Sequence, residues 1–176
     1  GFIFNTPIID DTLALRVAFN YLDAPGYIDY NYVVREPGVS LPDPDWADAN
    51  AVNANLKQVK DANTEEVTTA RFMLRWQPND KIDTTLAYHY QKQDIGARSI
   101  VHYDSLSPSN PLSNILDKYE SGYRYVEPKE DETSLLSLEV VADLGFAELT
   151  SATGVSDFES EGQRDQTDLL IRLDYS

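Results

Sequence analysis

The sequence contains no cysteine, one methionine and two histidines among its 176 residues. Without cysteine there are no disulfides, no thiolate nucleophile and no cysteine metal site. No apolar run approaches the ~18 residues that a membrane-spanning helix needs. That absence does not exclude strands, because a barrel strand carries apolar residues only at alternate positions. Cations are also scarce, with 14 Lys and Arg against 30 Asp and Glu and a formal net charge of −16. An acidic surface repels phosphate, which excludes nucleic acid as a partner. The N-terminal Gly1-Phe2-Ile3-Phe4 lacks a charged n-region and a cleavage signal. The expectation is a processed leader or a start inside a larger protein.

What is abundant is tyrosine, with 11 against 6 phenylalanines and 2 tryptophans, and period-two alternation. Leu13, Leu15, Val17, Phe19 and Tyr21 share one parity, opposite Ala14, Arg16, Ala18 and Asn20. Thr68, Ala70, Phe72, Leu74 and Trp76 oppose Thr69, Arg71, Met73 and Arg75. Ile82, Thr84, Leu86, Tyr88 and Tyr90 oppose Asp83, Thr85, Ala87, His89 and Gln91. The same holds for Leu136, Leu138 and Val140 against Ser137, Glu139 and Val141, and for Leu149 to Val155 against Glu148 to Gly154. Leu169, Ile171, Leu173 and Tyr175 oppose Asp168, Leu170, Arg172 and Asp174. In each segment the ionisable groups other than tyrosine keep to one parity. A strand reads this way when one face meets a medium hostile to charge, either lipid or a sandwich core.

Connection lengths discriminate between the two. The alternation predicts strands near 2–7, 12–22, 66–76, 82–92, 133–142, 147–156 and 167–175. Tight turns are expected around Pro7–Thr12, Gln77–Lys81 and Asp143–Phe146, and long loops over 23–65 and 92–132. Structureless loops beyond ~15 residues are uncommon in compact domains. Tight and long connections alternate here, so every tight turn falls at one end of the strands, the asymmetry of an outer-membrane barrel. Trp76 falls at the tight-turn end and Tyr21, Tyr88 and Tyr90 at the other, as two interfacial girdles would require. On the charged parity, Arg16, Arg71, Arg75, Asp83, His89, Glu139 and Arg172 are expected to face a lumen. If Trp76 pairs with Ile82, Arg75 faces Asp83 across the hairpin and Thr69 faces His89.

Several segments resemble the TonB-dependent outer-membrane receptor family. They are Asp11–Ala18 followed by Gly26-Tyr27-Ile28-Asp29, the strand and turn Arg71–Asp80, and the hairpin Asp143–Thr153. Together they cover about a third of the chain, and the resemblance rests on their order. It implies an all-β fold, part of an antiparallel transmembrane barrel of about 22 strands whose lumen is plugged. It also implies energy-dependent uptake of a scarce nutrient such as a ferric siderophore, cobalamin, haem or an oligosaccharide. The partners would be outer-membrane lipid and lipopolysaccharide, the nutrient, and the TonB complex through a plug domain outside this chain. The place would be the outer membrane of a Gram-negative cell. No plug or TonB-interacting segment is visible, seven strands cannot close such a barrel, and the terminal aromatic usual for these proteins is missing. The simplest account is an internal portion of a receptor. The alternatives are a passive porin and a soluble all-β carbohydrate-binding or adhesive module, which would need comparable loops at both ends.

Candidate chemistry is thin, and no enzyme activity, cofactor or metal is expected. Ser99, His102 and Asp104 form a triad on paper only, without a nucleophile elbow. The stretch Asp43–Asn50 has the oxygen density of a calcium loop but lacks its turn glycine and has Ala54 where the bidentate Glu belongs, which favours a solvated acidic loop. The loop aromatics Tyr27, Tyr30, Tyr32, Trp46, Tyr103 and Tyr123 are ligand-binding candidates, since rings on loops stack on sugars or aromatic siderophores. Equally, they can pack the loops against each other. The cluster Glu127, Glu130, Asp131 and Glu132 either stays solvated or binds divalent ions that bridge lipopolysaccharide phosphates.

Overall fold

The computed structural model describes residues 1–101 and 116–173, with backbone only at 171 and 172. In chain order the elements are β1 (Phe2–Ile9), β2 (Leu13–Ala24), β3 (Asp29–Val34), α1 (Ala49–Asn55), β4 (Leu56–Val59) and β5 (Glu65–Asn79). There follow β6 (Ile82–Ile95), β7 (Glu120–Ser121), β8 (Lys129–Asp143), β9 (Glu148–Gly162) and α2 (Thr167–Arg172). The chain divides into a sheet unit, Gly1–Leu22, Glu66–Gln93 and Glu130–Glu161, and a loop unit made of the remaining segments.

The sheet unit is a six-stranded antiparallel meander, β1-β2-β5-β6-β8-β9, open at both edges. Its three hairpin turns are closed by local chemistry. Asp11 adopts a left-handed φ of 54° and Thr12 N donates to Ile9 O at 3.1 Å. Asn79 Oδ1 accepts from Lys81 N at 2.9 Å, and Asp143 Oδ1 from Gly145 N at 2.7 Å, two Asx turns. Gly145 has φ of 82°, which the absence of a Cβ permits. The turns are tied in sequence: Gln77 N donates to Thr12 O at 2.7 Å and Asp143 N to Lys81 O at 2.8 Å. The tight turns therefore line one end of the sheet, as the alternation of connection lengths requires.

Register confirms the two faces at the first edge. Phe2 pairs with Phe19, Phe4 with Val17 and Thr6 with Leu15, while Asn5 pairs with Arg16. Pro7, which cannot donate to a ladder, sits in edge strand β1 beside a register shift. Much of the apolar face is exposed, and none of its residues is buried among the described residues of this unit. Phe72, Trp76 and Leu138 are 47%, 47% and 42% exposed. Among the described residues of this unit only Ala87 is buried.

The loop unit has the protein's core. β3 pairs antiparallel with β4 and parallel with β7. Ile28, Tyr30, Val33, Ala62, Ala97 and Tyr123 pack together, with Val59, Val101 and Val126 against them. α1 is capped by Asp48, whose carboxylate accepts from Asn50 N at 2.8 Å.

Residues 167–172 form a helix where alternation predicts the seventh strand. Leu170 lies on the polar parity and breaks the alternation, and the Leu-Leu-Ile run suits a helix. Asp165 Oδ1 accepts from Thr167 N at 2.9 Å, and Leu170 N donates to Gln166 O at 3.0 Å. Asp168 in the first turn favours the N-terminal dipole. The backbone is thus satisfied locally, without a neighbouring strand. Arg172 accordingly belongs to α2 and not to a strand face.

Candidate functional site

Two features are the candidates for function: the divided faces of the sheet and the aromatic rings of the loop unit. On the charged face Arg75 Nε donates to both carboxylate oxygens of Asp83, at 2.9 and 3.1 Å, and its NH2 group bonds Asp83 as well. The pairing drawn from the hairpin therefore holds. Arg16, Met73 and Arg75 line a shallow hollow of about 510 Å³, and Arg71, Ala18 and Asn20 line another of about 570 Å³. Small residues at Ala14, Ala18, Thr69 and Thr85 leave that space. His89 and Glu139 lie on β6 and β8 of this sheet.

The strands run further than their alternating segments, and this the sequence reading missed. Strand alternation puts Asp23, Lys92, Asp94, Glu130, Glu132, Asp157, Glu159 and Glu161 on the apolar parity, past the tyrosines. Tyr21 OH donates to Glu66 Oε2 at 2.9 Å, and Lys92 pairs with Glu130 at 2.9 Å. Glu130, Glu132, Glu159 and Glu161 border one hollow. The signal was present as carboxylates that kept the parity beyond the last apolar residue.

The predicted loop aromatics separate into pairs. Tyr30 is 0% exposed and Tyr123 is 8% exposed, their rings 5.8 Å apart in the core. Burial raises both hydroxyls above the ordinary tyrosine value, and Glu127 adds to the effect. These two rings hold the loops together and present nothing to a ligand. Tyr32 and Trp46, half-buried, meet edge to face at 5.3 Å. Burial raises the Tyr32 hydroxyl, Glu120 adds to that, and Arg124 opposes. Tyr27 is exposed and packs against Tyr119, which the sequence reading did not pair with it. Tyr103 lies outside the described residues, as do His102 and Asp104 of the paper triad; Ser99 Oγ accepts from Asn63 Nδ2 at 3.1 Å.

A polar centre holds the loop segments, and no local signal marks it. Arg124 is 1% exposed. Its Nε donates to Pro42 O at 2.6 Å, NH1 donates to Gly122 O, and the guanidinium lies 5.0 Å from the Trp46 ring centroid. Asp165 accepts from the backbone N–H of Arg124 and, at 3.1 Å, of Tyr125. Glu127, also 1% exposed, accepts from Asp165 N at 2.9 Å and faces Arg98 at 3.6 Å. Burial pulls the Arg124 pKa down to about 10, against the pull of Asp43 and Asp165. Tyr30 OH, Ser121 Oγ, Arg124 NH2 and Glu127 Oε2 have no bonding partner among the described residues.

In the acidic loop, Asp43 accepts from Trp46 Nε1, Asp45 from Ala47 N at 2.9 Å and Asp48 caps α1. These carboxylates order the loop itself. Among the described residues no three His, Asp or Glu side chains gather as a metal site.

Comparison with protein-family models, with curated proteins and with solved structures finds no match to this chain.

Proposed function

We propose that this chain is part of the barrel of an outer-membrane uptake receptor of the TonB-dependent kind. The sheet forms wall against lipid and the loop unit meets a scarce nutrient outside the cell. Coupling to TonB would run through a plug domain outside this chain. The observation that carries the reading is the exposed apolar face and its two limits. The spans 13–21, 68–76 and 82–90 match the ~9–11 residues of a tilted transmembrane strand. One limit lies at the tight turns, near Trp76. The other is the tyrosine line, after which the same parity turns acidic while the strands continue.

The reading is tested by expressing the chain within its full exported protein and fractionating cells. The protein is expected in the detergent-extractable outer membrane, with heat-dependent mobility on gels. Leu138→Arg sits at mid-span and should cost roughly 2–4 kcal/mol, lowering the inserted fraction. Glu132→Arg, on the same parity beyond the limit, should insert normally. A protein recovered from the soluble fraction, or equal insertion of both variants, refutes the proposal.

A further inference from the structure

Tyr27 and Tyr119 are 54% and 50% exposed, their rings 5.7 Å apart and perpendicular at 88°. Their backbones are nonetheless firmly held. Tyr27 N and Ile28 N both donate to the buried Asn63 Oδ1 at 2.7 Å. Asp29 N donates to Tyr119 O at 2.9 Å, and Ala62 N to Ile28 O at 2.8 Å. Gly26 lies against the Asp61 carbonyl so closely that a Cβ would collide with it. Leaving a large ring in water forgoes about 1.5–3 kcal/mol of burial. The two rings thus form an exposed aromatic pair on a fixed backbone.

The charges around this corner narrow what fits. Asp117 and Glu120 flank Tyr119, Asp29 follows Tyr27 by two residues, and Asp61 packs on Gly26. Asp29 Oδ1 accepts from Asp61 N at 2.9 Å, and Glu120 Oε2 from Asp117 N at 2.8 Å. The exposed Asp61 carboxylate has no partner among the described residues. Lys60 and Lys118 offset half of these charges, and Lys118 Nζ already lies 4.9 Å over the Tyr119 ring.

The geometry points to a saccharide-binding corner formed by Tyr27 and Tyr119, with the neighbouring carboxylates as acceptors for sugar hydroxyls. This rests on the uptake reading and names the class of nutrient. A pyranose has a face of C–H groups that lies on an aromatic ring and hydroxyls that donate to carboxylates. A ferric catecholate or haem brings negative charge to within a Debye length, ~8–10 Å, of four carboxylates. An organic cation and a pyranose alike must share the Tyr119 ring with Lys118, so choline is an arm of the test.

The test uses the full receptor purified in detergent from the outer membrane. It is probed on an array of neutral oligosaccharides and by calorimetry with ferric tris-catecholate, haemin and choline. A neutral oligosaccharide should bind, and Tyr27→Ala and Tyr119→Ala should each weaken it about tenfold or more, roughly 1.4 kcal/mol. Tyr27→Phe should retain binding, and loop amide-exchange protection should be unchanged in all three variants. Three outcomes overturn the corner: no neutral oligosaccharide binds, binding is indifferent to both alanine variants, or Tyr27→Ala abolishes binding of a charged probe instead. Outer-membrane protein that ignores sugars refutes the corner alone; soluble protein that binds sugars through Tyr27 refutes uptake alone.

Discussion

Arg124 is the side chain whose removal should loosen the loop unit most. Its charge is carried at a cost: burial pulls its pKa down to about 10, which corresponds to about 3 kcal/mol. Arg124→Ala relieves that cost but leaves the carbonyls of Pro42 and Gly122 unbonded, at about 1–3 kcal/mol each. It also removes a guanidinium–indole contact worth about 1–2 kcal/mol. The balance runs from about 0 to 5 kcal/mol and centres on a destabilisation of about 2–3 kcal/mol. Arg124→Lys should be no better than Ala. It keeps a charge that is more strongly hydrated, and one ammonium cannot serve two carbonyls and lie flat on Trp46. The assay is amide exchange at Val34, whose N–H donates to Arg124 O at 2.8 Å, and at Thr167. Local opening easier by that central amount speeds exchange about thirty-fold to somewhat over a hundred-fold. Wild-type protection in Arg124→Lys would mean that a point charge suffices, and unchanged protection in Arg124→Ala would remove the polar centre from the account.

The raised hydroxyls of Tyr30, Tyr32 and Tyr123 make the loop unit sensitive to alkali. Their stabilising contribution is complete below the ordinary value near 10 and is lost as pH climbs through the folded values. Arg124, whose pKa is lowered, acts in the opposite sense above about 10, offsetting only part of the loss. Tyrosinate absorbance should therefore rise late for these side chains, together with loss of loop structure; uniform titration of every tyrosine near 10 counts against it. Gly26→Ala should raise protease cleavage within 23–65 while leaving the sheet intact, because the Asp61 carbonyl occupies the Cβ position. Equal cleavage would show that the backbone yields there. Arg75 and Asp83 are 59% and 31% exposed at their side chains, so a double-mutant cycle should give no more than about 1 kcal/mol of coupling. A value well above that would place the pair in an enclosed, poorly solvated space.

Six of the nine strands are legible because alternation and Asx-turn chemistry agree with the observed meander; β3, α1, β4 and β7 form within the stretches 23–65 and 92–132 expected as long loops. The Arg75–Asp83 bond followed from the hairpin alone. The seventh segment failed where Leu170 interrupts the pattern and Asp165 supplies a helix start. The strands outrun their alternating segments because, in sequence, carboxylates on the apolar parity have the look of loop. Among the tyrosines, nothing in the sequence separates Tyr30, at 0% exposed, from Tyr27, at 54%. Their fates depend on β3 pairing with β4 and β7, contacts distant along the chain. The polar centre is likewise invisible locally, since Arg124 and Asp165 meet only through tertiary structure.

The two units satisfy their apolar residues by different means, and this bears on the medium. The loop unit closes over its own core, with Arg124 and Glu127 buried among hydrogen bonds. The sheet buries Ala87 alone and leaves Phe72, Trp76, Leu86 and Leu138 open. A sandwich partner can cover such a face. Here the ladder continues past the tyrosines, with Tyr21 bonded to Glu66 and Lys92 to Glu130 on the parity that was apolar a few residues earlier. A face that changes from hydrocarbon-compatible to ionic while its strands run on asks for surroundings that change at that same level. A bilayer boundary does so across every strand at once, whereas a protein layer would have to be built with a matching edge on all of them.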